Sequence, residues 1–548
     1  MERVKGEEGS GQVTTLEQAI EARYELERAM LGEEEWEITV DGEPRGRIDR
    51  QGMEWGIAWG KLLFQWWKEE ETQQVRVIWH RIEPGWIRLK GIWGLGQSPL
   101  RIELTSRGGI DRRGQEKDRS VPLALLRPGL SERLAAAFRR ALPDGKVLRI
   151  TTGPDRPRAI PGHYSRAILE RRGETILALA SGPWEDQAAI DGIVASGLVW
   201  LEQKQSRSLA QPMAGKPVRE VWFIVPAERW LTRGERIPML SGAHLGCRFR
   251  CFELDEAGDR LIPVEPVTQG ELFHRHPRDL TWPNFVLPPA GWAEHSWHHR
   301  ILALAPGRIE GRYRPGPDWT SYLIEGLEFA RVPRRRPEAA TFGVVGDPMR
   351  EGRPLEALSE RAFGSLQRLV ASLLEIRRAE TRDRRHPFYR LREEAWLESM
   401  LRRRIEALDP TLDPGYVYSQ IPTWRVDERS VIDLMTVRRE GPDRGRIVVI
   451  EIKTSEDLQL PLQGLDYWLR VEQARRRGEL SARGLFRGAD LVDRPAILYL
   501  VAPRLRFHRG LATLARCLHP EIEGYRVGLN TNWREGIRVH SVDRLQEL

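Results

Sequence analysis

Val431-Ile-Asp433-Leu-Met-Thr-Val437, followed by Arg446-Ile-Val-Val-Ile-Glu451-Ile-Lys453, decides the fold of this chain. Both pieces are short β-branched runs, and the turn signal Glu440-Gly-Pro-Asp-Arg-Gly445 lies between them, so the pattern predicts a buried hairpin. Charge in such strands is expensive, because desolvating an unpaired ion costs several kcal/mol. Glu451 and Lys453 are two residues apart and project from one strand face. A hairpin lays Asp433 alongside them. Two carboxylates and an ammonium then converge on one spot, which suits a hard divalent cation held by oxygen ligands. A partly buried salt bridge between Asp433 and Lys453 is the competing, purely structural reading.

The flanks extend the pattern. Leu460-Pro-Leu-Gln463-Gly-Leu-Asp-Tyr467-Trp-Leu reads as an amphipathic helix with Gln463 and Tyr467 on one face. Upstream, Tyr389 to Leu401 reads as a long helix carrying Glu394 and Glu398 at the same four-residue spacing. The order is helix, strand (415–426), Asp433 strand, Glu-x-Lys strand, Gln-x-x-x-Tyr helix, strand (496–502).

Together these residues resemble the PD-(D/E)XK nuclease superfamily, in its RecB-like branch with a Gln-x-x-x-Tyr element, which includes archaeal mismatch- and branch-cutting endonucleases. Ile432 stands where the family has proline. The resemblance covers residues 385 to 505 and implies a restriction-endonuclease-like αβββαβ domain. It also implies Asp433, Glu451 and Glu398 or Glu394 as the metal-binding acids and Lys453 as the residue that positions the attacking water. Gln463 and Tyr467 would brace the site or the DNA backbone. The implied activity is Mg2+- or Mn2+-dependent phosphodiester hydrolysis, with DNA favoured over RNA. A catalytically silent nucleic-acid-binding scaffold is the alternative.

The chain has 548 residues, more than one core accommodates. Its net charge of +7, from 86 basic and 79 acidic residues, fits a nucleic-acid partner without requiring one. Three cysteines (Cys247, Cys251, Cys517) make no disulfide framework. No apolar run is long enough to span a bilayer and the start has no apolar signal core, so a cytoplasmic protein without a membrane partner is expected. No Gly-x4-Gly-Lys-Ser/Thr loop is present.

In chain order, residues 1–34 are a polar tail with a helix near Leu16 to Leu31. Residues 35–106 alternate as a small all-β module. Its tryptophans (Trp55, Trp59, Trp66, Trp67, Trp79, Trp86, Trp93) are either core or a base-stacking platform. Ser106 to Arg119 is a charged, Gly-rich loop. Residues 125–268 repeat the helix, strand and helix order of the nuclease block. Ser196-Gly-Leu-Val-Trp-Leu echoes Gln463-Gly-Leu-Asp-Tyr-Trp-Leu. This predicts a degenerate copy of the same fold, with about Ser165, Ala180 and Gly182 where Asp433, Glu451 and Lys453 stand. Arg139, Arg140, Arg166 and Arg171 are its candidate phosphate contacts. Residues 269–352 read as a connector with some β pattern at Ser321-Tyr-Leu-Ile-Glu-Gly-Leu-Glu-Phe329 and an exposed basic linker at Arg331 to Arg336. Its histidines (His274, His276, His295, His298, His299) lack zinc-site spacing. A helix over 354–382 opens the block 353–548. One live and one empty copy predicts a single cut per chain, or two in a homodimer.

Overall fold

A computed structural model of the chain describes residues 12–548 apart from 31–34, 50–52, 59–60, 69–70, 84–85, 94–98, 107–122, 152–163, 184, 186–189, 211–215, 228–235, 242–244, 256–258, 266–267, 275–295, 315–317, 345–354, 425–428 and 442–443. The loop expected over 107–119 lies outside the described residues, as do Trp59, His276 and His295. The structure is mixed α/β and divides into two units. One holds Met1–Leu126 and Glu338–Leu369, the other Arg127–Pro337 and Val370–Leu548.

The first unit is built on a seven-stranded sheet: β1 (Glu35–Val40), β2 (Glu43–Asp49), β3 (Met53–Ala58), β4 (Lys61–Lys68), β5 (Glu71–Glu83), β6 (Trp86–Trp93) and β7 (Pro99–Ser106). Its order is β2-β1-β7-β6-β5-β4-β3. Along β1, Trp36, Ile38 and Val40 face inward and share a core with Ala19, Ala22 and Leu26 of the helix Leu16–Ala29. Trp55 and Trp66 are buried against Phe64, with ring centroids 4.4 and 5.1 Å away, so they are core and not a platform. Trp86 and Trp79 are half-buried under Arg88 and Lys90, at 3.4 and 4.8 Å from the ring centroids.

The second unit contains the same strand path twice. The upstream sheet comprises β8 (Gly145–Thr151), β9 (Tyr164–Arg171), β10 (Glu174–Ser181), β11 (Val218–Pro226), β12 (Arg248–Asp255) and β13 (Arg260–Val264), in the order β13-β12-β11-β10-β9-β8. Along the chain, the strands between those of the two sheets are β14 (Ile309–Arg314), β15 (Trp319–Ile324) and β16 (Leu327–Pro333), followed by β17 (Thr341–Phe342) and β18 (Glu356–Ala357) of the first unit. The downstream sheet comprises β19 (Tyr418–Trp424), β20 (Arg429–Arg439), β21 (Arg444–Ile452), β23 (Ile497–Pro503), β24 (Gly524–Leu529) and β25 (Val539–Arg544), in the order β25-β24-β23-β21-β20-β19, with a short β22 (Asp490–Leu491) beside β21. In both, three antiparallel strands are followed by two parallel steps and an antiparallel edge. A parallel step needs a crossover. Here it is the helix Ile193–Ala210 in one copy and Leu460–Arg476 in the other.

One packing detail fixes the register between the copies. A Cβ on Gly197 would lie 2.5 Å from the Phe223 ring, and one on Gly464 would lie 2.6 Å from a Leu500 methyl. Both glycines let a crossover helix press onto its sheet, so Phe223 and Leu500 are equivalent. Their parallel partners, Leu179 and Glu451, are then equivalent too. Arg166 pairs with Leu179 and takes the place of Asp433, while Ser181 takes that of Lys453. The sequence match to Ser165 and Ala180 was one residue out, which on a strand means the opposite face. Ala180 packs with Trp222 and Phe138, away from the crossover helix. Either way the upstream copy carries no carboxylate pair at these positions.

The two copies share one hydrophobic core, in which Leu198, Met239 and Leu240 pack with Leu465, Leu514 and Leu518. Backbone bonds join them as well: Ser241 N–H donates to Cys517 O at 2.6 Å and His519 N–H to Met239 O at 2.8 Å. Within the connector, β14, β15 and β16 pair antiparallel in sequence order. Its hairpin tip is locked onto the helix Glu393–Arg403, since a Cβ at Gly326 (φ +74) would meet Ala395 O at 2.0 Å. Arg331 belongs to β16, and Arg334 and Arg335 pair with Asp318 at 2.7 and 3.1 Å, so this basic run is no free linker. His298 packs its Nδ1 3.0 Å from the Tyr322 hydroxyl. The helix expected over 354–382 spans Phe363–Ile376. That over 389–401 is broken at Arg392 (φ +50) into Pro387–Arg390 and Glu393–Arg403. Among the described residues no helix is long and apolar enough to cross a membrane.

Candidate functional site

β20 and β21 pair antiparallel with Leu434 opposite Ile450, and one step further along this register Asp433 faces Glu451. Alternation puts both on the face of Met435, Val437, Ile447 and Val449, which pack in the core beneath the helix Leu460–Arg476. On one side β23 holds the site, with Lys453 N–H donating to Val501 O at 2.9 Å. On the other side Gln420 of β19 places Nε2 3.4 Å from Asp433 Oδ1. Gln420 is itself in the left-handed region, at φ +53, and the β19–β20 pairing skips it. A non-glycine residue keeps that conformation only where its surroundings hold it, and such strain concentrates at functional sites.

Burial and like charge set the electrostatics. Glu451 is 2% exposed, with Oε1 3.2 Å from Lys453 Nζ and Oε2 without a hydrogen-bond partner. Burial, aided by the neighbouring Asp433, pushes its carboxyl well above the usual range. Burial likewise raises Asp433 to about 7, although Ile452 N–H donates to its Oδ2 at 2.9 Å. For Lys453 burial acts downward, but Glu451, Glu394 and Asp433 outweigh it and hold the ammonium proton more tightly than usual. Lys453 is therefore a donor in this state. Glu394 stands 4.0 Å from it on the more exposed side.

Glu398 goes elsewhere. Buried and 2% exposed, it accepts from Arg312 at 3.2 and 3.5 Å, and Arg312 also holds Glu310 at 2.8 Å. Its charge is still felt by Asp433. Arg312 lies on β14, and nothing local in the sequence links it to a helix 86 residues away. The two remaining expected residues sit on the crossover helix. Gln463 is half-buried with an unsatisfied Oε1, and Tyr467 is half-buried against the core.

Between them lies a residue that the sequence did not single out. Asp466 makes a buried, two-pronged ion pair with Arg236 of the upstream copy, at 2.9 and 2.7 Å, and Arg236 also donates to Asp191 O at 2.8 Å. The empty copy thus grips the Gln-x-x-x-Tyr helix directly.

Among the described residues no group of three His, Cys, Asp or Glu side chains is arranged to hold a metal ion. Asp433 and Glu451 form a pair. A pair still fits a hard divalent cation, which is commonly bound through one or two carboxylates, with waters and substrate oxygens completing its shell. Glu451 Oε2 is buried with no hydrogen-bond partner, a need that a bound cation would meet. Compared with known proteins, the chain matches no family model and no curated sequence.

Proposed function

We propose that the carboxyl-terminal block is a divalent-cation-dependent nuclease of restriction-endonuclease-like fold, with DNA as its favoured substrate. The observation that carries this is the facing pair Asp433 and Glu451. Two buried carboxylates with raised pKa values and one orphaned oxygen are a poor structural device and a good cation receptor. Asp433 and Glu451 would hold Mg2+ or Mn2+. When bound, the ion supplies positive charge against the charge that develops on the phosphate. Lys453, protonated and held by Glu451, donates to a phosphate oxygen or orients the attacking water. Its raised pKa speaks against a role as the base. Gln463, whose buried Oε1 has no hydrogen-bond partner, sits on the crossover helix above this face, and Gln420 steadies Asp433.

The upstream copy, with Arg166, Leu179 and Ser181 at the matching positions, has the frame without the acids. One active site per chain makes the expected product a nick, unless two chains act together. The short Lys453–Glu451 ion pair, which needs no metal to be stable, favours the second reading of a silent nucleic-acid-binding scaffold.

Incubation of supercoiled plasmid and a flapped duplex with Mg2+ or Mn2+, beside Glu451→Gln and Lys453→Ala, separates the two. Metal-dependent nicking that both variants lose supports the nuclease. Binding without cutting by any of the three proteins supports the scaffold.

A further inference from the structure

The loop that follows β23 reads Pro503-Arg504-Leu505-Arg506-Phe507-His508-Arg509, three arginines and a histidine set about a leucine and a phenylalanine. Leu505 is 75% exposed, more than any other large apolar side chain among the described residues. Arg504, Arg506 and Arg509 around it are exposed, and none of them forms an ion pair among the described residues. Some exposed arginines of the block are engaged, as Arg494 is with Glu440 at 3.0 Å. A solitary exposed leucine needs no explanation. One set between uncommitted guanidiniums beside a candidate active site does.

The placement is tight. Val501 bonds to Lys453, and four residues of chain reach at most about 14 Å from Val501 to Leu505. The loop leaves the carboxyl end of β23, the end at which Glu451 and Lys453 leave β21, and ligands of such sheets bind outside the carboxyl ends of the strands. It is also anchored at both ends. The stem of Arg504 lies over Gly528, where an added Cβ would meet it at 3.3 Å. Gly510 is wedged between Leu458, on the loop after the catalytic strand, and Val199 of the upstream copy, at 2.9 and 3.0 Å from a Cβ built there. Glu456 and Asp457 face the His508 side, leaving the Arg504–Arg506 tip basic.

We propose that this loop distorts a bound nucleic-acid duplex: Leu505 inserts between stacked bases while Arg504, Arg506 and Arg509 hold the flanking phosphates. Apolar wedges flanked by cations unstack base steps in this way. A single leucine is too little apolar surface to anchor a membrane, so a duplex is the fitting partner. The link to cutting rests on the nuclease reading above, whereas the wedge itself does not.

The test uses full-length protein in EDTA and a duplex carrying 2-aminopurine, whose fluorescence rises when it is unstacked. Wild type should raise the signal several-fold at saturation. Leu505→Ser, a surface change, should bind within about threefold of wild type yet leave the signal flat, since phosphate contacts dominate affinity. Arg504→Ala with Arg506→Ala should weaken binding about tenfold and flatten its salt dependence. In Mg2+, Leu505→Ser should cut intact duplex about tenfold more slowly and a bulged duplex at the wild-type rate. A signal lost in Leu505→Ser with no cutting by any protein sustains the wedge and sinks the nuclease. Three results overturn the wedge. These are no rise with wild type, an equal rise with Leu505→Ser, or phosphatidylserine-vesicle binding that Leu505→Ser abolishes while base stacking stays untouched.

Discussion

Replacing Asp433 by asparagine should make the cation-free protein more stable and the cation unable to stabilise it. A carboxyl moved from 3.8 to about 7 disfavours its ionised form in the folded state by about 4 kcal/mol, at 1.36 kcal/mol per pH unit. The sign follows from the direction of the shift. The folded pKa is raised, so the folded state binds the proton more tightly, and stability falls as pH rises from the unfolded value toward 7. Between pH 5 and 8 the wild type should lose about 3 kcal/mol through this group, and Asp433→Asn should not. Thermal unfolding in EDTA at the two pH values reads this out as a difference of roughly 5–10 °C for a block of this size. The asparagine keeps an oxygen for Ile452 N–H, and Gln420 can turn its amide to set its own oxygen against the new Nδ2, so the main change is electrostatic. Millimolar Mg2+ should then raise the midpoint of wild type at pH 8 and leave the variant unmoved. A variant no more stable than wild type in EDTA at pH 8, or one stabilised equally by Mg2+, would refute the reasoning.

Two further outcomes follow from the ion pairs around the site. Glu398→Gln should cost about 1–3 kcal/mol, because it leaves the buried Arg312 short of an anion. Mg2+ affinity by calorimetry should stay within about threefold, since Glu398 is committed to Arg312; a tenfold weakening without destabilisation would place it among the ligands. Arg236→Ala should destabilise by about 3–5 kcal/mol by stranding Asp466 between the copies, whereas Arg236→Met with Asp466→Leu should recover most of the loss. Equal denaturation midpoints for wild type and Arg236→Ala would remove the pair as the clasp between the copies.

Much of this architecture was legible in the chain because strands obey a period of two. The runs around Asp433 and Glu451 announced the hairpin, and their charges stood out because apolar neighbours made them costly. Gly197 and Gly464 lie in similar six-residue stretches, and both turned out to serve the same close helix–sheet approach. The repeated strand order was legible; the register between its two occurrences was not. A slip of one residue changes nothing in composition and everything about which face a side chain occupies. The connector was legible only in part, its β pattern showing at Ser321 to Phe329. Proline, histidine and arginine dominate its composition, while β14, β15 and β16 are defined by pairing between strands.

The sequence alone determined the hairpin strands of the carboxyl-terminal block and the helix that follows them, that the carboxylates and the lysine share a face, and that the upstream block lacks the acids. These depend on interactions between residues close in the chain, or on residue identity itself. Only the tertiary structure decided that Glu398 answers to Arg312, that Arg236 clamps Asp466, and that Gln420 is strained beside Asp433. Those partners are distant in sequence or depend on a local distortion of pairing. A buried charge seeks whichever opposite charge the fold brings within reach, and nothing in its own neighbourhood along the chain names that partner.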